Sequence, residues 1–390
     1  MKIIFFAHPL FLGSHSMSRF ATMLAKGMEI RGHQTEIWRP KAFFSNLPIK
    51  AMRKWFGYLD QYLVFPLTAR LKRNSENADT LYVLTDHALG PYTPLVSKLP
   101  HVIHCHDFLA QRSALGQIIE NPTSATGQAY QKYIRQGYSR GKNFISVSER
   151  TKADLGQFLG NKPRLSEMVY NGLSPDFTII SKPKSRDELG KTLGLDLSKG
   201  YLLHVGGNQW YKNRTGVLLM YEAWRKSSEL ALPILMIGEE PNSELLELKA
   251  GSYYPSDIHF LSGIDDVAVR TAYAGAALFL FPSLAEGFGW PIAEAMASGT
   301  LVITTNEAPM TEVAGDAAFL IDRMPQRFAE KKQWALKAAV VMENALTINE
   351  EGGLEQQRLM QQNVERFQMD KALDKIEQIY LSVLNNAASQ

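Results

Sequence analysis

Short apolar runs alternate along the chain with longer stretches of helical spacing. The runs Lys2–Ala7, Thr35–Trp38, Thr80–Leu84, Val102–Cys105, Asn143–Val147 and Ser166–Val169 read as strands. Between them the spacing predicts helices over Ser18–Arg31, Ile49–Lys72, Gly127–Arg140 and Glu149–Leu159. Strands separated by helices predict a parallel sheet covered on both faces. The pattern breaks at KSRDELGKTLGLDLSKG (184–200), which is polar, charged and punctuated by glycine, as a linker or domain entry would be. It then restarts, with strands at Tyr201–Val205, Pro233–Ile237, Ile258–Leu261, Leu278–Phe281 and Leu301–Thr304. The tail, roughly 355–386, is helical and amphipathic, with Leu359, Phe367, Leu373, Ile376, Ile379 and Leu384 as candidate contacts.

The pattern therefore predicts an α/β protein of two doubly wound domains. A length of 390 residues suits two domains better than one. Ligands of such sheets sit at the carboxyl ends of the strands, so a cleft between two of them is the expected site.

Composition narrows the class. Hydrophobic content of 45% with 21% charged residues is that of an ordinary soluble enzyme. No run of about 18 apolar residues predicts a membrane span. The opening MKIIFFAHPLFLGSH reads as a first strand and glycine loop rather than a leader, so we expect a cytosolic protein. The single cysteine, Cys105, excludes an internal disulfide framework and a cysteine-based zinc site. A net charge of +3 gives no sign of a nucleic-acid partner.

The most informative stretch is PSLAEGFGWPIAEAMASG (282–299). The preceding AALFLFPS is a buried strand, and LAEGFGW is the loop at its carboxyl end. Pro291 fits the first helical position, and Gly299 the stop. The glycines Gly287 and Gly289 let the backbone approach a ligand closely. The N–H groups of Phe288, Gly289 and Trp290 would face an anion there. Glu294 stands one turn into the helix among small apolar neighbours, where a carboxylate needs hydrogen-bond donors. A ribose diol would supply them. Glu286, on the loop, could hold hydroxyls of a second group on the same ligand. Each glutamate alone also admits a plainer reading, Glu294 paired with an arginine and Glu286 a solvated loop charge.

The segment PSLAEGFGWPIAEAMASGTLVITTN, a glutamate, seven residues and a second glutamate, resembles the signature of the retaining glycosyltransferases of family 4, which have the GT-B fold. The resemblance continues in APMTEVAGDAAFLID (308–322), YLLHVGGNQWYKN (201–213), ISVSERTKADL (145–155), MVYNGLSPDF (168–177) and GSHSMSRFATMLAKGMEIRGHQTEI near the start. It implies two Rossmann-like domains facing across a cleft. The acceptor-side domain would be 1–178 with a C-terminal helix of about 368–390 crossing back to it. The nucleotide-sugar domain would be 179–367. The resemblance also implies that Glu294 holds the ribose diol and Glu286 the donor-sugar hydroxyls.

Lys212 matches the family's phosphate-binding lysine. Many relatives also carry an arginine a few residues earlier. Here Asn208 and Gln209 stand in that donor loop, and Arg214 or Arg19 could replace the missing cation. Gly13, in LGSHSMSR, resembles the family's phosphate-side glycine loop, and Ser14 and Ser16 could donate hydrogen bonds or simply form a turn. The base is expected near Gly238–Glu240 and Gly263–Asp265. His106, followed by Asp107 at a strand end, resembles the family's histidine beside the donor sugar; it could equally cap local backbone. Asp86 and His87, ending the preceding strand, are candidate acceptor contacts. HVIHCHDFLA (101–110) does not read as zinc, because His104 and Cys105 point apart in a strand and no second cluster exists.

The reading is a retaining hexosyl transfer from a UDP- or GDP-linked donor to a glycan or lipid-linked acceptor in cell-surface polysaccharide synthesis. The resemblance implies a front-face route in which the leaving phosphate takes the acceptor proton and no metal or other cofactor is required. His106, Glu286 and Lys212 would be its catalytic residues. An epimerase-like GT-B enzyme or a non-catalytic sugar-nucleotide-binding subunit are alternatives. A phosphorylase lacks a supporting motif for pyridoxal phosphate, and no G-x-G-x-x-G follows the first strand as a dehydrogenase would need. The segment 39–73 mixes Lys and Arg with Phe43, Phe44, Trp55, Phe56, Tyr58, Tyr62 and Phe65. It suits contact with the inner face of a membrane, or an ordinary helix covering the first sheet.

Overall fold

A computed structural model describes residues 1–12, 15–48, 52–74, 76 and 79–388. The chain forms two compact units, Met1–Tyr170 with Asp370–Gln390, and Asn171–Met369.

The first unit is built on six parallel strands: β1 (Lys2–Phe6), β2 (Gln34–Trp38), β3 (Thr80–Leu84), β4 (His101–Cys105), β5 (Asn143–Ser146) and β6 (Leu165–Met168). Their order in the sheet is β2-β1-β3-β4-β5-β6. Strands β3, β4 and β5 are buried along their whole length, as expected of a parallel sheet with helices on both faces. The helix Met369–Ala388 brings Leu373, Ile376, Ile379 and Tyr380 into this unit, all buried. Arg31 pairs with Asp374 at 2.6 Å, and His33 Nε2 lies 2.6 Å from Glu377 Oε1. Leu373 packs so closely on Gly27 that a Cβ there would come within 2.7 Å of it.

The second unit repeats the plan with β7 (Leu202–Val205), β8 (Ile234–Ile237), β9 (Ile258–Leu261), β10 (Leu278–Phe281), β11 (Leu301–Thr305) and β12 (Phe319–Ile321). The order is β12-β11-β10-β7-β8-β9, again all parallel. Its core gathers Trp224, Tyr221, Met220, Leu278, Leu280 and Trp334.

Eleven strands fall where the apolar runs predict them. The twelfth, Phe319–Ile321, is only three residues long and escapes a periodicity reading. The segment 184–200, expected to be a linker or a domain entry, holds most of a helix, Lys182–Leu193, near the start of the second unit and is not an open linker. Only Ser185, Leu189 and Gly190 of that helix are buried, so its sequence carries too narrow an apolar stripe to announce itself. Arg186 anchors it by donating from Nε to the Gly275 carbonyl at 2.8 Å.

Candidate functional site

In the second sheet the chain runs from β7 to β8 and β9 on one side, then returns to β10, β11 and β12 on the other. Open parallel sheets take ligands in the crevice this reversal leaves, outside the carboxyl ends of the two central strands. Lys212 comes from the loop after β7 and Glu286 from the loop after β10. Lys212 Nζ lies 2.8 Å from Glu286 Oε1, with the two side chains 15% and 9% exposed. The ammonium also stands 5.0 Å from the centroid of the Phe281 ring. The two loops are laced together. Leu284 N–H donates to the Tyr211 carbonyl at 2.7 Å, and Asn213 Nδ2 to the Pro282 carbonyl at 2.9 Å. Asn213 adopts φ 52, and its Oδ1 accepts from Gly216 N–H, capping the helix Arg214–Ser227.

Beneath this loop His204 is fully buried. Its Nδ1 lies 2.9 Å from the Leu280 carbonyl oxygen, which makes Nδ1 the donor and leaves the Nε2 lone pair without a partner among the described residues. Burial pushes its pKa down to about 3, so the ring is neutral.

Glu294 lies on the helix Trp290–Ala297, and the Tyr273 hydroxyl donates to its Oε2 at 2.9 Å. Burial first, then the Glu294 charge, raises the Tyr273 phenol well above its usual range. The helix starts at Trp290, one residue before Pro291, behind Gly289 at φ 100. First-turn N–H groups have no carbonyl of their own helix to bond. The Phe288 side chain is buried edge-on against Phe367, 5.5 Å between centroids. Trp290 Nε1 is buried and has no partner among the described residues. Gly287 lies in the loop between Glu286 and Phe288.

Asn208 ties the loop after β7 to the loop after β8. Its N–H donates to Glu239 Oε2 at 3.1 Å and its Nδ2 to the Glu240 carbonyl at 2.6 Å. Gly238 allows this approach: a Cβ there would come within 2.1 Å of the Gly206 carbonyl oxygen.

The first sheet reverses between β1, which leads to β2, and β3. A pair spans this crevice too. His8 follows β1, Asp86 follows β3, and His8 Nε2 lies 2.8 Å from Asp86 Oδ2. His87 Nδ1 stands 2.9 Å from Asp86 Oδ1, near enough for charge attraction but not aligned as a hydrogen bond. Burial alone would raise the Asp86 carboxyl; His87 and His8 outweigh it and hold the group well below the usual carboxylate range. Burial works against protonating His87, yet the Asp86 charge leaves its pKa raised.

His106, after β4, puts Nε2 2.9 Å from the Thr85 carbonyl, so that nitrogen donates and Nδ1 keeps a lone pair in the neutral ring. Burial lowers its pKa. Asp107 Oδ1 accepts from Leu109 N–H at 3.0 Å. His104 turns to the opposite face from Cys105 and meets the Tyr380 hydroxyl at 2.7 Å. Gly13 and Ser14, and the side chain of Ser16, lie outside the described residues. Among the described residues, no three His, Cys, Asp or Glu side chains are grouped to hold a metal ion.

Residues 17–177 match the model of glycosyltransferase family 4, and residues 199–338 that of the glycosyl transferases group 1. The chain belongs to the group 1 glycosyltransferases of family 4. Among curated relatives, it is 32% identical to O-antigen chain mannosyltransferase B of Escherichia coli over 126 residues, 32% of this chain and 33% of that protein. It is 24% identical to O-antigen chain mannosyltransferase RfbU of Salmonella typhimurium over 203 residues, 52% of this chain and 53% of that one. These matches span a third to about half of the relatives' lengths. The solved structure of HepE from Anabaena with UDP and glucose superposes with a TM-score of 0.71 at 15% identity, covering 97% of this chain and 98% of that one. The fold is thus GT-B.

In this family 4 chain the structure brings Lys212 and Glu286 together, with Asn213 holding their loops. Asn213 and Tyr273 were not among the predicted residues; an asparagine just before a helix is a cap signal, but no spacing announces the partner of either. His8 and His204 carried no signal at all. Arg214 is 4% exposed; its Nη1 donates to Asn208 and to the Glu239 carbonyl at 2.9 Å, tying loops together, while its Nε and Nη2 are buried and have no partner among the described residues.

Proposed function

We propose that this chain transfers a hexose from a UDP- or GDP-linked donor to a hydroxyl of a glycan or lipid-linked acceptor, with retention, in building a cell-surface polysaccharide. One observation carries the reading: a lysine and a glutamate meet across the switch point of the second unit, with Glu294 on the helix that follows. Lys212 would take the diphosphate, each charge-assisted bond contributing roughly 1.5–3 kcal/mol. Glu286 would hold sugar hydroxyls, and Glu294 the ribose diol. The relatives named as mannosyltransferases, and the UDP and glucose held by HepE, support the donor class.

The acceptor oxygen bonds to the anomeric carbon on the face from which the phosphate leaves. The bond from that carbon to the phosphate oxygen breaks, and the acceptor proton passes to the departing phosphate. The protein positions the reactants and stabilises charge. Lys212 and the helix start at 288–291 do so for the leaving group. His106 Nδ1, Asp86, His87 and Asp107 serve hydroxyls bound by the first unit. No step needs a metal or another cofactor. No helix among the described residues is long and apolar enough to cross a membrane, and we assign the reaction to the cytoplasm, at the inner face of the plasma membrane.

A thermal-shift panel of UDP, GDP and ADP, with and without EDTA, tests the reading. A ligand at about 100 times its Kd adds roughly 2.7 kcal/mol. One diphosphate should raise the melting temperature, EDTA should leave that shift unchanged, and Glu294→Ala should reduce it to roughly half or less. No shift from any of the three at millimolar concentration would overturn the donor site.

A further inference from the structure

The helix Arg53–Leu59, the π turn Asp60–Val64 and the helix Phe65–Arg73 form one continuous rod on the first unit. The rod is apolar on two faces. Phe65 and Ala69 are buried in the core. On the other face Trp55, Leu59, Leu63, Leu67 and Leu71 recur at every fourth residue, each between 41% and 72% exposed. Phe43, Leu47 and Met52, just before the rod, are exposed as well.

Strict four-residue spacing would wind off one face of an α-helix, by about 40° at each step. The π turn, with its wider i→i+5 winding, takes up part of that drift in the middle of the stripe. The same turn buries Asp60. Its carboxylate accepts from the N–H groups of Phe43, Phe44 and Ser45 at 3.1, 2.9 and 2.9 Å, and from the Ser45 hydroxyl at 2.7 Å. Those bonds hold the Phe43 loop against the rod.

Charge singles out this face further. Residues 39–73 contain eight Lys and Arg and one acidic residue, a net +7, whereas the other 355 residues sum to −4. The one acid is Asp60, which is buried, so the segment shows only positive charge to solvent. Lys41, Lys54, Arg70 and Lys72 are exposed around the stripe. A soluble chain has no reason to expose five aligned large apolar side chains unless something covers them.

We infer that this face docks on an anionic phospholipid surface, with Trp55 and the leucines at the acyl boundary and the basic side chains on headgroup phosphates. A second copy of the chain does not fit, since a two-fold contact would set one +7 segment against another. The inference requires neither donor nor acceptor and is tested without activity.

The experiment is flotation of the full chain with vesicles of phosphatidylcholine alone, or of phosphatidylcholine mixed with phosphatidylglycerol. The chain should float with the mixed vesicles only, and less so as salt rises. The triple variant Leu63→Ser/Leu67→Ser/Leu71→Ser should lose at least about tenfold in partitioning. Lys54→Glu/Arg70→Glu should lose the preference for the anionic lipid. Both alter exposed positions, so melting temperatures should stay within a few degrees of wild type. No flotation at low salt, or flotation indifferent to the leucine changes, would overturn the inference. So would self-association in solution that the triple variant abolishes, because the face would then belong to a second copy.

Discussion

Lys212 Nζ stands 2.8 Å from Glu286 Oε1 across the crevice between β7 and β10. The cation assigned to the diphosphate is thus already neutralised by the carboxylate assigned to the sugar. A nucleoside diphosphate without sugar must take Lys212 away and leave Glu286 mostly buried and unpaired, which is costly. A sugar nucleotide replaces the lost partner with hydroxyls. Glu286→Gln should therefore bind the free diphosphate about threefold to thirtyfold tighter, a gain of roughly 0.5–2 kcal/mol. Its transfer rate should fall at least about 100-fold. Calorimetry with UDP and GDP decides: weaker diphosphate binding in Glu286→Gln would contradict the exchange.

Glu294 and Tyr273 should separate binding from support. Glu294→Ala removes the acceptor for the ribose diol and should weaken nucleotide affinity by roughly 10- to 100-fold, with turnover at saturation changed only a few-fold. Tyr273→Phe keeps the ring beside Phe279, 5.2 Å between centroids, and deletes only the hydroxyl. It should cost about 1 kcal/mol of stability and far less affinity. Steady-state kinetics on both variants would show the difference, and equal losses in affinity would refute the assignment.

Asp86 is the only carboxylate between two imidazoles at the other switch point, so far as the described residues show. Asp86→Asn keeps the shape and removes the charge. It should destabilise the first unit by roughly 1.5–3 kcal/mol at pH 6. Because Asp86 raises the His87 pKa, the His87 share of this stability is fully present below about pH 6.5 and is lost as pH rises through the folded value. Hydrogen exchange in β1 and β3 should report the loss, while the nucleotide-induced shift of the second unit persists.

Each unit also buries a neutral histidine whose pKa is pushed down to about 3: His104 in the first and His204 in the second. Unfolding releases them to about 6.5, so the unfolded chain binds more protons between those values. Their stabilisation is complete above about pH 6.5 and drains away as pH falls toward 3, at up to about 1.4 kcal/mol per pH unit each. Urea unfolding at pH 7, 6 and 5 should show the decline. His104→Gln and His204→Gln should each flatten it by about one proton in the unit that carries the change; an unaltered slope would show that the histidine is not the source.

The sheets were legible because fully buried parallel strands are written as unbroken apolar runs such as LFLF at 278–281. The polar helix Lys182–Leu193 was not, because it buries only three of its twelve residues. At the site, the glycines, Pro291 and the two glutamates announced a loop and a short helix. What their carboxylates touch was not announced. Glu286 meets a lysine 74 residues away and Glu294 a tyrosine 21 residues away.

By itself, then, the sequence determined two doubly wound sheets, the strand ends that carry the site residues, and the family. These follow from local periodicity and a contiguous motif. Only the tertiary structure decided the partners: Lys212 with Glu286, Tyr273 with Glu294, His8 with Asp86. The reason is topological. A switch point joins strands remote in the chain, β7 with β10 and β1 with β3, and no local spacing encodes which side chains meet across it. The same holds for 39–73, whose aromatic and basic composition was plain. Burial divided it, sending Phe65 inward and leaving Trp55 and four leucines on the surface.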